Sequence, residues 1–461
     1  MQRAFEELGS IVGPDHLAVG EMIEERYWHD ESLTVAPSRP MALVRPADTD
    51  ELVELVRWAE RRQVPLVVRG AGTGLAGGAV CRPTEVCVST ERLSGVDDVD
   101  TVSRVAVVRA GTSLAELDHV LADHGLRYTV SPGENAASIG GTVATNAGGM
   151  RAVRFGTTRQ NVLGATVVTG GGRVLTLGGS LYKRSSGYDL LQLVIGSEGT
   201  LGIVERAILR LAPRAEEAVF VAHAPTMRGA LGAVQALQSI EPPPSVIEYL
   251  EPSALEAMAH FAGVTLGLPG WALADGAILV VAVERVDADD VARAVELAGA
   301  VLEGAGADGV WVLGKTEGRA VLRAREAALW TVRALGARDI VDVVVPPARL
   351  GDYFDAVAAV ASTYGVRLAA TGHVGDGNVH LSVFADDVAS ARRVVEEVVA
   401  EGVRRGGAVS GEHGIGVAKL EEFRTHASAT ELRIDAGIKR LFDPAGIFAP
   451  GRLGSPTHGG D

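Results

Sequence analysis

The chain has 461 residues, 47% of them hydrophobic and 22% charged, with a formal net charge of −15. That length exceeds one ordinary core and fits two or three domains in contact. The acidic balance, with no basic stripe, excludes a nucleic-acid partner, and no apolar run is long enough for a membrane span. The segment Met1–Gly20 carries Glu6, Glu7 and Asp15 and has no apolar core, so no secretory signal is expected. Cys81 and Cys87 have the spacing of neither a zinc knuckle nor a redox pair. They read as two small buried hydrophobes in a reducing, cytoplasmic setting.

In chain order, residues 1–35 are expected to form an N-terminal helical segment. Residues 36–213 follow as a cofactor domain. Within it, Asp48–Arg62 predicts an amphipathic helix with an acidic first turn, and Val64–Arg69 a short buried strand. A glycine loop (Gly70–Gly78) leads to a strand at Glu85–Ser89. Val105–Arg109 predicts another strand, and Ser113 with Glu116 a capping box opening a helix that ends near Gly125. Residues 131–160 hold few large side chains. Strands are expected at Ala165–Thr169, Arg173–Leu177 and Arg206–Leu211. From 214 to 410 strands and helices alternate, which argues for an α+β substrate domain. Arg319–Ala334 reads there as one helix. Residues 411–461 return to glycine-rich loop chemistry.

The first loop, Arg69-Gly-Ala-Gly-Thr-Gly-Leu-Ala-Gly-Gly78, contains Gly72-x-Gly74-x-x-Gly77, the spacing of a dinucleotide fingerprint. That fingerprint needs a helix directly after the loop. Pro83 and the next strand arrive too soon for a crossover helix, so the nicotinamide reading is rejected. Backbone N–H groups in such a turn can still cradle a pyrophosphate; a plain surface loop is the competing reading. A second segment, Ser131-Pro-Gly-Glu followed by Ser138-Ile-Gly-Gly-Thr-Val-Ala-Thr-Asn-Ala-Gly-Gly149, and a third, Gly196-Ser-Glu-Gly-Thr-Leu-Gly-Ile203, repeat the theme. So little side-chain volume calls for a bulky neighbour.

Together these segments resemble the FAD-binding domain of the vanillyl-alcohol oxidase and p-cresol methylhydroxylase flavoproteins, in the branch of the D-lactate, glycolate and D-2-hydroxyglutarate dehydrogenases. The resemblance runs from about Tyr27 to Leu453. It implies an α+β fold: a two-part p-cresol methylhydroxylase-type FAD domain, a substrate or cap domain with an antiparallel sheet, and a C-terminal segment returning to the flavin. It further implies that Arg69, Gly70, Ala71, Gly72, Thr73, Gly74 and Gly78 bind the cofactor. Pro132, Gly133, Ser138, Ile139, Gly140, Gly141, Ala144, Thr145, Asn146, Gly149, Gly202 and Ile203 complete the implied set. The first loop has no His to tether a flavin, so dissociable FAD is expected.

A separate signal lies in Leu368-Ala-Ala-Thr-Gly-His-Val-Gly-Asp-Gly-Asn-Val-His-Leu-Ser-Val-Phe384. Asp376-Gly377 between apolar runs predicts a two-residue hairpin turn. Pairing would then set Val374 against Val379 and His373 against His380, close enough for both imidazoles to meet one cation. A pair of satisfied structural histidines is the alternative. Gly411-Glu-His-Gly-Ile-Gly416 adds a carboxylate and a third imidazole. Two His and one carboxylate form a common open metal site. The resemblance implies His373, His380 and Glu412 as ligands of a divalent metal (zinc, or manganese or iron) and His413 as the catalytic base.

The implied reaction is oxidation of a D-2-hydroxy acid to the 2-oxo acid. The motif Leu329-Trp330-x-x-Arg333 points to Arg333 as partner of the substrate carboxylate. Hydroxyglutarate-type members carry a Thr and a Lys where this chain has Ala337 and Ile340, and an Asn where it has Ser382. These changes favour a D-lactate-like or more apolar substrate. Ala449 likewise stands where relatives carry Asn. Two other readings use the same fold: an ether-lipid-synthase-like enzyme and an electron-relay subunit. Both lack a use for the His hairpin with Glu412-His413. The expected partners are a small 2-hydroxy acid, an unidentified electron acceptor and, in a homodimer, a second copy. No iron–sulfur Cys motif is present.

Overall fold

The computed structural model describes residues 2–455; the end of the expected C-terminal segment, 456–461, lies outside the described residues. The expected helix at 48–62 forms as Thr49–Arg62. Asp48 caps it by accepting from the Glu51 N–H, and Gln63 closes it in the left-handed region. Ser113 caps Leu114–Ala122 in the same way. The Glu116 side chain instead accepts from Ser94 Oγ at 3.0 Å, so only half of the expected capping box forms.

The flavin-side domain holds two main sheets. The first has the order β1 (Leu17–Val19), β2 (Ala42–Val44), β4 (Val86–Ser89), β3 (Leu66–Arg69). The N-terminal segment is therefore not purely helical: after the helix Gln2–Val12 it supplies β1, antiparallel to β2. β3 and β4 run parallel with no helix between them, in keeping with the rejected nicotinamide fingerprint. The second sheet is antiparallel, with the order β5 (Val96–Asp100), β6 (Val105–Arg109), β10 (Ile203–Arg210), β8 (Val162–Thr169), β9 (Arg173–Gly178). A short pair, β7 (Leu126–Arg127) and β11 (Ala212–Pro213), leads out of it. Cys81 and Cys87 are both free and buried.

The second domain is built on one antiparallel seven-stranded sheet. Its order is β15 (Gly309–Val312), β12 (Glu216–Ala224), β14 (Ala277–Arg285), β13 (Val246–Leu250), β17 (Arg367–His373), β18 (Asn378–Phe384), β16 (Asp339–Val344). Its central strands are almost continuously apolar and buried on both faces, as layers on either side require. Helices Met227–Gln238, Ala288–Gly304, Leu350–Tyr364 and Val388–Arg404 contribute to the core on one side.

Two buried devices join the parts. Glu284 on β14, 1% exposed, receives the guanidinium groups of Arg127 and Arg151 from the flavin side. Arg154 donates to its backbone carbonyl at 2.9 Å. At the other end, the C-terminal segment returns to β3: Leu66 N–H donates to Ile447 O, and Ala449 N–H to Leu66 O, both at 2.8 Å. Lys439 is buried there and donates to Thr200 O and Phe448 O.

Candidate active site

One cavity lies between the glycine segments and the seven-stranded sheet. Every cofactor residue expected from the glycine segments lines it except Arg69, Ile139, Asn146 and Ile203. Those four stand behind the wall. The Arg69 guanidinium donates to Arg26 O and His29 O at 2.6 Å each, tying the N-terminal segment to the loop. Ile139 and Ile203 are core residues. Asn146 closes the helix Ile139–Thr145 with φ +53°, and its amide oxygen accepts from Arg159 N–H.

The cradle depends on missing side chains. A Cβ on Gly70 would fall 2.2 Å from Ser138 Oγ, and one on Gly140 would fall 2.7 Å from Ala110 Cβ. Gly149, at φ +110°, could carry no Cβ beside Ser131 O. Asp30, 3% exposed, lines the same space with Oδ2 buried and unpartnered. A ligand offering a hydroxyl or N–H would satisfy it. Smooth glycine walls and an acceptor awaiting a donor suit a large polar cofactor such as FAD.

The opposite wall is a face of the sheet. His373 and His380 do meet, but not in the expected register. The turn spans four residues, Val374–Gly377, and the pairs are His373 with Asn378 and Thr371 with His380. Val374 is fully buried in the core instead of joining the ladder, and Asp376 N–H bonds back to His373 O at 3.1 Å. The shift from the expected pairing is even, so both imidazoles keep one face. They become diagonal neighbours, with ring centroids 5.0 Å apart.

Glu412 completes the cluster. Its Oε1 lies 3.1 Å from His373 Nε2 and 3.3 Å from His380 Nε2. Donors on bonds of about 2.1 Å to one cation sit roughly 3.0–3.4 Å apart at right-angle to tetrahedral geometry. The donor set thus fits a divalent metal. Glu248, fully buried on β13, holds His373 Nδ1 at 2.6 Å. A carboxylate behind a ligating histidine fixes ring and tautomer. Burial opposes charge on His373, yet Glu248 and Glu412 hold its pKa well above the usual imidazole range. The centre is built for positive charge.

Asp342 is a geometric candidate ligand with His380 and His413, but its oxygens are already engaged. They accept from the backbone N–H of Gly411, Glu412 and His413, and from Ser410, Asn378 and Lys419. Asp342 therefore shapes the loop that presents Glu412 and His413. Glu198 holds the other end, accepting from Ile415 and Gly416 N–H at 2.7 and 2.6 Å. His413 stacks on His380 with centroids 5.1 Å apart. Burial pushes its pKa down to about 3.

Arg333 is not among the cavity residues. Its half-exposed side chain pairs with Glu31 at 2.8 Å. The expected single helix breaks at Ala327 into Lys315–Glu326 and Ala328–Ala334. Arg325, on the first piece, lines the cavity instead. It is 7% exposed, Nε donates to Glu248 at 2.7 Å, and Nη2 is buried without a partner. Sequence reasoning missed Glu248, Asp342, Glu198 and Arg325. The signal for the first two was a carboxylate inside an apolar strand, which is costly unless paired.

A model described as "FAD binding domain" matches residues 40–178, and one described as "FAD linked oxidases, C-terminal domain" matches residues 213–453. An uncharacterized FAD-linked oxidoreductase of Mycobacterium tuberculosis is 39% identical over 98% of this chain and 99% of its own length. A D-lactate dehydrogenase of Archaeoglobus fulgidus is 33% identical over 93% of this chain and 95% of its own. The structure of p-cresol methylhydroxylase with substrate bound superposes with a TM-score of 0.82 at 16% identity, covering 98% of this chain and 96% of that one, a likeness of fold alone. No helix among the described residues is long and apolar enough to cross a membrane. With the glycine cradle, the antiparallel cap sheet and both family models in agreement, the chain belongs to the FAD-linked oxidases of p-cresol methylhydroxylase-type fold, in the branch of the D-lactate, glycolate and D-2-hydroxyglutarate dehydrogenases.

Proposed function

We propose that the protein oxidises a D-2-hydroxy acid to the 2-oxo acid, using dissociable FAD and a divalent cation held by His373, His380 and Glu412. The observation that carries this reading is the joining of those three donors and the glycine cradle in one cavity. When bound, FAD accepts the hydride and the cation polarises the substrate hydroxyl. His413 takes the hydroxyl proton: it lines the cavity beside Glu412, and the Asp342 carboxylate, 3.9 Å from its Nδ1, steadies the imidazolium that forms. Asp342 positions both residues through their backbone N–H groups. Arg325 binds the substrate carboxylate with its unpartnered Nη2, and Glu248 fixes Arg325 and His373 together. Among the described residues, the cavity's lining includes no Cys, and its three histidines stand on the sheet wall with Glu412, which supports the dissociable reading.

The test is anaerobic reduction of the purified flavoprotein by a panel of D- and L-2-hydroxy acids, before and after chelation. D-acids are expected to bleach the flavin, and chelation to abolish the bleaching. Bleaching that survives complete metal removal would overturn the metal's role, and no bleaching by any hydroxy acid would overturn the substrate class. Arg325→Lys is expected to raise KM about thirtyfold or more with a smaller change in kcat, because a single ammonium cannot replace a guanidinium that holds Glu248 through Nε and the substrate through Nη2.

A further inference from the structure

The sheet face under the cavity is chemically graded, and strand order sets the gradient. Leu250, Thr371, His380 and Asp342 lie in one cross-strand row over β13, β17, β18 and β16. One step along the strands, Ala369, Ser382 and Ile340 form the next row. At the β13 end stands the cation: Glu248 holds Arg325. In the middle stand His373 and His380. At the β16 end, roughly 14 Å from β13 by strand spacing, the cavity is lined by Ile340 and Ser382. Leu329 and Val332, from the helix Ala328–Ala334, line the same cavity.

Among the described residues, Arg325 is the only Lys or Arg that lines the cavity. The two other cations in reach are committed elsewhere. Arg333 pairs with Glu31, and Lys419 lies 3.3 Å from Asp342 Oδ2. A substrate held with its carboxylate at Arg325 and its hydroxyl between the imidazoles points its side chain toward the β16 end. That end offers methyl and methylene groups and one hydroxyl, with no counter-charge for a second carboxylate. Burying an unpaired charge there is far costlier than burying a hydrocarbon is favourable.

Resting on the reading given under Proposed function, we infer that this chamber selects D-2-hydroxy acids whose side chain is uncharged, apolar and longer than a methyl group. Ile340, Val332 and Leu329 are its specificity-determining residues. Each methylene of the side chain is worth roughly fourfold in kcat/KM. A terminal carboxylate is rejected.

The test compares D-lactate, D-2-hydroxyisocaproate, D-malate and D-2-hydroxyglutarate on the FAD- and metal-loaded enzyme. Affinities of the matching 2-oxo acids are read independently from the shift of the flavin spectrum. D-2-hydroxyisocaproate is expected to exceed D-lactate at least tenfold in kcat/KM and the dicarboxylates at least a hundredfold, with 2-oxo acid affinities in the same order. Ile340→Lys should raise the ratio of hydroxyglutarate to hydroxyisocaproate at least a hundredfold. If D-lactate or a dicarboxylate is the best substrate of the unaltered enzyme, the inference fails while the hydroxy-acid reading stands. If no 2-hydroxy acid reduces the flavin, that reading fails and the inference with it. An unchanged ratio in a folded Ile340→Lys variant would remove Ile340 from the chamber.

Discussion

The two walls of the cavity are made on opposite principles. The flavin wall removes side chains: glycines and backbone carry its shape, and one unpartnered carboxylate oxygen, Asp30 Oδ2, stands out. The sheet wall concentrates side chains: imidazoles, carboxylates and a guanidinium, carried by neighbouring strands, one helix and one loop, support one another. A wall built from backbone is sensitive to added atoms. A wall built from paired charges is sensitive to removed ones, because each loss strands a buried partner.

Substitutions can separate the two. His373→Ala is expected to lower flavin reduction by D-2-hydroxy acids about a thousandfold or more, with bound metal lost and FAD retained. Metal analysis and the flavin spectrum of the same sample check this. Gly140→Val should do the reverse. Its side chain would collide with Ala110, and the protein should purify without flavin while still binding metal. If His373→Ala lost FAD as readily as Gly140→Val does, the division between the walls would not hold.

Next in size is the joint between the domains. Glu284→Ala leaves Arg127 and Arg151 facing an empty buried site and is expected to cost about 3–5 kcal/mol in denaturant unfolding. Burial alone would raise the Glu284 pKa, but the Arg127 hydrogen bond and the charges of Arg151 and Arg127 bring it net below its ordinary value. Its contribution is therefore complete above the unfolded carboxylate value, about pH 4.3, and is lost as pH falls through the lowered folded value. Glu284→Ala should remove that part of the acid sensitivity. The smallest effect is at Ala449, a buried non-glycine residue at φ +42°. Ala449→Gly relieves that backbone and should stabilise the protein by about 1 kcal/mol.

The same contrast explains what could be read from sequence. The glycine wall is local in sequence, so its residues could be named almost completely, and only those whose side chains turn behind the wall fell outside the cavity. The sheet wall is assembled from four strands, a helix and a loop. His373, His380, Glu412 and His413 announced themselves by residue type, although the turn is two residues longer than its Asp-Gly signal suggested. Arg325 did not: the helix breaks at Ala327, and it is the arginine before the break that lines the cavity, while Arg333 after it pairs with Glu31. Glu248 sits in the middle of a strand buried at every residue. Its partners come from residues 77 and 125 positions away, which no local pattern discloses.

The loop Gly411–Gly416 hangs from two carboxylates in different parts of the molecule, Asp342 in the cap sheet and Glu198 in the flavin domain. It behaves as a cable strung between two banks. Parting the domains to admit a substrate would pull Glu412 and His413 out of place before anything had entered. A rearrangement confined to side chains such as Glu31 and Trp330, which line the cavity with part of their surface in solvent, would leave that loop undisturbed.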